Sequence, residues 1–438
     1  MKIFEAGRDK REDILAALGP QAMAFDQSAA ETVAAIIADV IQRGDEAVLE
    51  YGRKFDYPEL HDLTVAESEI EAAYQAVSPE LLEAIRTAKA NIEDFHGKQV
   101  RNSWIEAEER RMLGQIIRPL ERVGVYAPAG TAPLCSSVLM TALPAKAAGV
   151  PEIIMCAPPR KADGLIPAAM LVAARECSIK SVFKAGGAQA IAAMAFGTAT
   201  IQRVDKVVGP GNVFVTEAKR QLYGIVGIDM LAGPSEALVL ADATADPALV
   251  AADLLSQAEH SEDARAMLIT TERALAHSVL NEIKRQKPQL SRRDIITQAL
   301  DRFGVMVICG SLDEAIELVN YCAPEHLELM VAEPWPILAR IKNAGAIMIG
   351  RDSTVPLADY IAGPSHTLPT NGTARFSSPL NVDDFLKKSS VIWYSHEAMA
   401  DALNTLTELA SAEGCDAHTQ AVRMRVDSPP KADRKEAT

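Results

Sequence analysis

Aromatic residues are scarce in this chain. Phe, Trp and Tyr make up 5% of its 438 residues, so aliphatic side chains and alanine must fill its cores. There is no Cys-x-x-Cys pair; the six cysteines (135, 156, 177, 309, 322 and 415) stand far apart. That spacing suits reduced thiols in core positions, rather than a disulfide framework or a cysteine zinc site, and points to a cytoplasmic protein. No uncharged apolar run reaches the roughly 18–20 residues a membrane helix needs; the stretch Ala232–Leu255 is broken by Glu236, Asp242, Asp246 and Asp253. The opening Met1-Lys2-Ile3-Phe4-Glu5 lacks an apolar secretion core. Basic residues are outnumbered: 44 Lys+Arg against 59 Asp+Glu give a net charge of −15, which argues against a nucleic-acid partner. Neither a GxGxxG fingerprint nor a Walker loop occurs, and there is no internal repeat.

What is present is ordinary soluble α/β grammar: 48% hydrophobic and 24% charged residues, in a length suited to several domains. The N-terminal third reads helical. Ser28 and Glu31 have capping-box spacing ahead of Val33, Ile36, Ile37, Val40 and Ile41, with Gly44 at the end. Ser78-Pro79 predicts a second start, with Leu82, Ile85, Ala88, Ile92 and Phe95 on one face. From Arg122 short apolar strands alternate with helices. Strands are expected at 123–127, 153–157, 181–185 and 206–208, then at 237–240, 267–270, 305–309 and 347–349. This βαβ alternation predicts parallel sheets covered by helices. After Leu380 the pattern returns to helices at 397–412 and 417–425, and the Pro-led, charged end from Ser428 reads as disordered.

Several segments carry chemistry. Gly186-Gly187-Ala188-Gln189 and Gly209-Pro210-Gly211-Asn212 each follow a strand and open a helix. Such turns serve either as anion cradles at a helix N-terminus or as simple tight turns. Gln257 and His260 share a helix face, which suits a metal site or a helix end carrying a dipole-favoured histidine. Glu325-His326 follows Pro324 and offers two bases of different strength, or a surface loop. Asp359 and His366 flank Gly363-Pro364, and Glu413 and His418 surround Gly414 in the tail. The other histidines, 61, 96, 277 and 396, sit in ordinary sequence.

Together these segments resemble the histidinol dehydrogenase family. The resemblance is carried by Glu121 through Tyr126, Gly186 through Ile191, Val204 through Asn212 and Ala232 through Glu236. It continues in Asp253 through His260, Ala323 through Leu329, Asn343 through Ile347, Ala374 through Leu380 and Ala412 through Gly414. It runs from about residue 30 to 425. Ala129 and Ser365 depart from the family's usual residues, often Gly and Asn, in the cofactor and substrate loops.

The resemblance implies two incomplete Rossmann-like parallel-sheet units with helical N- and C-terminal tails, in a domain-swapped homodimer. The implied division is an extension at 1–25, a first α/β unit at 26–121 and 236–380, and a second, inserted unit at 122–235. A helical tail at 381–427 contacts the partner subunit, and 428–438 is a disordered tail. It also implies the last two steps of histidine biosynthesis, L-histidinol to L-histidine, with two NAD and one zinc per subunit. The implied zinc ligands are Gln257, His260, Asp359 and His418. Ser235, His366 and Glu413 add substrate contacts to those ligands and to the acid–base pair Glu325 and His326. Glu413 and His418 come from the second subunit. Tyr126, Gln189 and Asn212 are the implied NAD contacts. No membrane or nucleic-acid partner is expected.

Overall fold

The computed structural model describes residues 1–21, 27–129 and 134–428. Gly130, residue 26 at an expected boundary and all but the first residue of the expected 428–438 tail lie outside the described residues. The chain divides into two compact units: 1–100 with 120–385, and 101–119 with 386–438.

The larger unit holds two parallel sheets with one plan. In the first, the order is Lys2–Glu5, Val305–Ile308, Arg265–Thr270, Glu236–Ala241, His326–Met330, Ala346–Ile349. In the second it is Ser181–Lys184, Glu152–Ala157, Arg122–Tyr126, Lys206–Val208, Gly227–Ile228. All pairings in both are parallel. Leaving aside the Lys2–Glu5 edge, each sheet starts at its middle strand, builds three strands outward, then crosses back to finish on the other side. The switch point lies between Glu236–Ala241 and His326–Met330 in one, and between Arg122–Tyr126 and Lys206–Val208 in the other.

The strands read as continuous apolar runs because both faces are covered. Their side chains still alternate. Val239 and Ala241 join one core with Ala266 and Leu268, while Leu238 and Leu240 join the opposite core with Met267 and Ile269. The second sheet divides likewise: Val123, Val125 and Met155 face one way, Tyr126, Ile154 and Cys156 the other. Helices at Cys135–Ala147, Ala168–Glu176, Gly187–Phe196, Pro247–Ala258 and Leu312–Cys322 alternate with the strands.

Besides the tail at 381–427, expected to be helical but opened by the strand Leu386–Tyr394, three expectations change. Residues 2–18 are no mere extension: Lys2–Glu5 pairs with Val305–Ile308, and Ile14 and Leu18 of the helix Arg11–Leu18 enter the core of the first sheet. Its Lys and Glu ends hid the edge strand. Second, the early helices, expected to belong with 236–380, pack on the second sheet. Val33, Ile36 and Val40 share a core with Ile154 and Phe183, and Ile85 and Ile92 share one with Val123 and Met155. An aliphatic face fixes that a helix packs, not which of two aliphatic sheets it meets. Third, Ser28 is no N-cap. The helix Gln27–Arg43 already includes it, with Gln27 bonded one turn on to Glu31 at 2.9 Å. Ser78 does cap, accepting from Leu81 N at 3.1 Å ahead of Pro79. On that helix His96 takes the buried position and Phe95 is exposed.

The smaller unit is an antiparallel sheet, Leu386–Tyr394 beside Arg111–Pro119 beside Trp104–Ala107, followed by the helices His396–Ala412 and Asp416–Val426. All six cysteines are unpaired. No helix among the described residues is long and apolar enough to cross a membrane.

Candidate active site

The first sheet builds its chemistry at the amino ends of its two central strands. Ala323 ends the helix Leu312–Cys322 in a left-handed turn (φ 50°), which redirects the chain into Pro324-Glu325 and the strand His326–Met330. Gly345 lies close beneath. A Cβ there would stand 2.5 Å from the Glu325 carbonyl oxygen, so the neighbouring strand can start only with glycine at that point.

Glu236, the first residue of the adjoining strand, holds both Glu325 and His326 through its peptide groups. Its N–H donates to Glu325 Oε2 at 2.8 Å, and its carbonyl oxygen lies 3.1 Å from His326 Nδ1. A carbonyl only accepts, so Nδ1 carries the proton and Nε2 is left as the exchangeable nitrogen. That Nε2 has no hydrogen-bond partner and stands 3.6 Å from Asp359 Oδ1, an ion-pair distance beyond hydrogen-bond reach. The Glu236 side chain is occupied elsewhere. It pairs with buried Arg265 at 2.9 Å and accepts from Asn371 N at 3.0 Å.

Glu325 and His326 are almost wholly buried, with 3.6 Å between Glu325 Oε2 and His326 Nδ1. Burial pushes the Glu325 carboxyl well above the usual carboxylate range, with His326 opposing. Burial would lower His326, but the negative charges of Glu325 and Asp359 overcome it and raise the imidazole. The two groups titrate as a pair.

Gln257, on the helix Pro247–Ala258, is completely buried, and neither its Oε1 nor its Nε2 has a hydrogen-bond partner. An unsatisfied buried amide group costs roughly 1–3 kcal/mol, so the position calls for a ligand. Desolvation depresses His260, with Asp359 pulling the other way, which favours a neutral ring with a free lone pair. Burial would raise Asp359, but His326 outweighs it and holds the carboxyl below its ordinary range. An amide oxygen, a neutral imidazole and a carboxylate make a donor set that suits zinc. Among the described residues no group of three or more His, Cys, Asp and Glu is placed to hold a metal; here only His260 and Asp359 are of those types.

His366 Nδ1 lies 3.0 Å from the Asp359 carbonyl oxygen and its Nε2 lies 3.2 Å from Ser137 Oγ. Ser235 directly precedes Glu236, and its carbonyl accepts from Arg265 N. Ser365 is buried, donating to the Met140 carbonyl at 3.1 Å and accepting from Thr367 N at 3.2 Å. Glu413 and His418 belong to the smaller unit. Both are exposed and line a cleft of about 370 Å³ with Leu406, Leu409 and Cys415.

The expected nucleotide residues gather at the carboxyl ends of the second sheet, where open α/β sheets bind ligands. Tyr126 is the last residue of its strand. Its hydroxyl accepts from Gly187 N at 3.0 Å, leaving the phenol proton free to donate. Burial keeps that phenol neutral, pushed up to about 12. Gly209 (φ +115°) passes so close that a Cβ would stand 2.1 Å from the Tyr126 carbonyl oxygen. Its N–H donates to Asp229 and its carbonyl accepts from Lys219, a buried pair that pins the loop. Gln189 is buried on the first turn of Gly187–Phe196. Asn212 caps the helix Val213–Leu222 through Oδ1. A Cβ on Gly186 would strike Pro158 at 2.7 Å and approach Asp56 Oδ2 at 3.0 Å, so tight internal packing requires glycine there; the free phenol proton of Tyr126 beside a helix N-terminus is what suits an anionic ligand such as a dinucleotide.

Sequence reading missed Ser137, the peptide of Glu236, and the acids Asp56, Asp253 and Glu328. Glu328 did carry a signal, an acid inside the otherwise apolar run Leu327-Glu328-Leu329-Met330.

A family model described as histidinol dehydrogenase matches residues 20–426. The chain is 52% identical over 405 residues to the histidinol dehydrogenase of Heliobacterium mobile, covering 92% of this chain and 95% of the relative. It is 50% identical over 396 residues to that of Clostridium acetobutylicum, covering 90% and 92%. The crystal structure of histidinol dehydrogenase from Elizabethkingia anophelis superposes with a TM-score of 0.92 at 39% identity, covering 98% of both chains.

Proposed function

Because the chain belongs to the histidinol dehydrogenase family, we propose that it oxidises L-histidinol through L-histidinal to L-histidine, with His326 as general base and Glu325 activating water. It is an oxidoreductase; the cofactors and residue roles are our reading. The observation that carries it is the His326 ring, whose Nδ1 is tied to the Glu236 carbonyl and whose Nε2 is buried and unpartnered.

The alcohol pKa is about 16, near that of water, and free imidazole lies near 6.5. That gap is on the order of 13 kcal/mol, at 1.36 per unit. The raised basicity of His326 narrows it without closing it, so His326 takes the hydroxyl proton only as the hydride leaves. In the second step Glu325 takes a proton from water as it adds to the aldehyde while protonated His326 returns its proton to the aldehyde oxygen, and the neutral His326 then takes the proton of the hydrate as the second hydride leaves. Glu325 sits beside His326 with one oxygen fixed by the Glu236 N–H, which leaves the other to meet water. Tyr126, Gln189 and Asn212 would hold NAD, which would supply the hydride acceptor.

Gln257, His260, Asp359 and, from the second subunit, His418 would hold one zinc. The metal would supply a grip on the amine and imidazole nitrogens of histidinol. His366 and Ser235 add polar contacts to the substrate, and the carboxylate of Glu413 from the second subunit meets its positive charge. The orphaned amide of Gln257 supports the ligand set, and the exposure of Glu413 and His418 in a single chain supports their use across a homodimer.

Purified protein with zinc, NAD and histidinol tests the reading, with NADH followed by absorbance. Two NADH per histidinol are expected. One NADH per substrate would reduce the enzyme to a simple alcohol dehydrogenase, and none would overturn the reading.

A further inference from the structure

Three elements of the proposed zinc site converge on two acids outside the machinery described so far, Glu328 buried and Asp253 half-buried. Asp253 lies one turn before Gln257 on the helix Pro247–Ala258. Glu328 lies two residues after His326 on the strand His326–Met330 and is 1% exposed. Both acids reach the start of the short helix Val355–Tyr360, which carries Asp359. Glu328 Oε1 accepts from Val355 N at 2.9 Å, and Asp253 Oδ1 accepts from Thr354 Oγ at 2.8 Å.

The remaining Glu328 oxygen, Oε2, is buried and no N–H or O–H of the described residues reaches it. Asp253 is half-buried, and the two acids grip adjacent residues of one turn from two different elements.

We propose that Asp253 and Glu328, by accepting from Thr354 and Val355, form a positioning latch that holds the Asp359 helix against the Gln257 helix and the His326 strand and so fixes the zinc donors relative to one another. Glu328 receives the backbone at Val355 and Asp253 receives the Thr354 hydroxyl, so each acid ties its own element to the start of the Asp359 helix. A ligand set drawn from separate helices and a loop needs such support, because outer partners of metal ligands commonly change affinity by about 10–100-fold when removed.

The latch rests on the zinc reading above, and the test separates the two. Glu328→Gln keeps an acceptor for Val355 N; Glu328→Leu keeps the volume and loses that acceptor. Holoenzymes are compared by the rate of zinc release to a chromogenic chelator and by hydrogen exchange at the Val355 amide. Glu328→Gln should release zinc within about twofold of the parent, whereas Glu328→Leu should release it about 10–100-fold faster, with Val355 exchange accelerated. Release and exchange at the parental rates in folded Glu328→Leu overturn the latch. Should that variant fail to fold, Thr354→Val decides: faster zinc release supports the latch, and parental release with parental protection of Val355 overturns it. A parent protein that binds no zinc overturns the zinc reading instead, and Val355 exchange in the metal-free variants still decides whether the acids hold the helix.

Discussion

His326 Nδ1 stands 3.1 Å from the carbonyl oxygen of Glu236, and the N–H of the same Glu236 reaches Glu325 at 2.8 Å. One peptide position thus aims both halves of the proposed acid–base pair. His326→Asn keeps a side chain able to donate to that carbonyl but has no basic nitrogen. It should lower kcat for both histidinol and histidinal by about 10²–10⁴. Steady-state rates with each substrate check this, and survival of either rate removes His326 as the base.

Glu325→Gln retains an acceptor for the Glu236 N–H and cannot take a proton from water. Oxidation of histidinal should fall by about 10²–10⁴, and histidinol-to-histidinal turnover should fall much less. Single-turnover NADH formation with the alcohol and the aldehyde separates the steps. Equal losses would contradict the water-activating role.

Gln257→Ala and His418→Ala should each lower the zinc held per subunit. Gln257→Ala removes the orphaned amide and opens a small cavity, so its thermal stability should change little without metal and drop relative to the parent with it. Elemental analysis after dialysis reads the metal directly, and undiminished zinc would strike the residue from the ligand set.

Asp56 predicts a pH dependence. Burial raises its carboxyl to about 6, against Lys161 pulling it down; Oδ2 has no hydrogen-bond partner. A carboxyl pushed up in the folded state binds its proton more tightly than in the unfolded chain. It therefore withdraws stability as pH rises from about 4 to about 6, and the loss persists above that. Asp56→Asn should raise Tm at pH 7 and confer no advantage below pH 4. Melting curves without nucleotide across that range are the measurement, and an offset identical at every pH would contradict the assignment.

Gly209→Ala forces a Cβ to within 2.1 Å of the Tyr126 carbonyl at a φ of +115°. The strain should cost on the order of 1–3 kcal/mol and displace the loop from Tyr126. Denaturant unfolding should show the loss. NAD titration followed by fluorescence should show weaker binding, with zinc content unchanged.

Much of the fold was legible because parallel strands covered on both faces announce themselves as short apolar runs between helical ones. Leu238, Leu240, Met267 and Ile269 are such cases. Lys2–Glu5 was not, since an edge strand needs few apolar residues. The docking of Val33 and Ile92 on the second sheet was illegible for a different reason, as aliphatic faces carry no address. At the site, the residues legible by type were those with distinctive chemistry, such as His326, Asp359 and His260. The orienting partner of His326 is a backbone carbonyl, which no side-chain pattern reveals. Gln257 was ambiguous from spacing alone; its significance rests on the two amide atoms left without partners.

The two sheets share a strand plan and, on the function proposed above, would be used from opposite ends. Tyr126 ends a strand of one and Gly209 follows another, whereas Glu236 and His326 begin strands of the other sheet. On that proposal, retuning the enzyme toward another nucleotide calls for changes around Tyr126, Gly186 and Gly209. None of these positions belongs to the strands that orient the imidazole. The scaffold carries two separately adjustable edges, so selection acting on one coenzyme need not trade against selection acting on the amino alcohol.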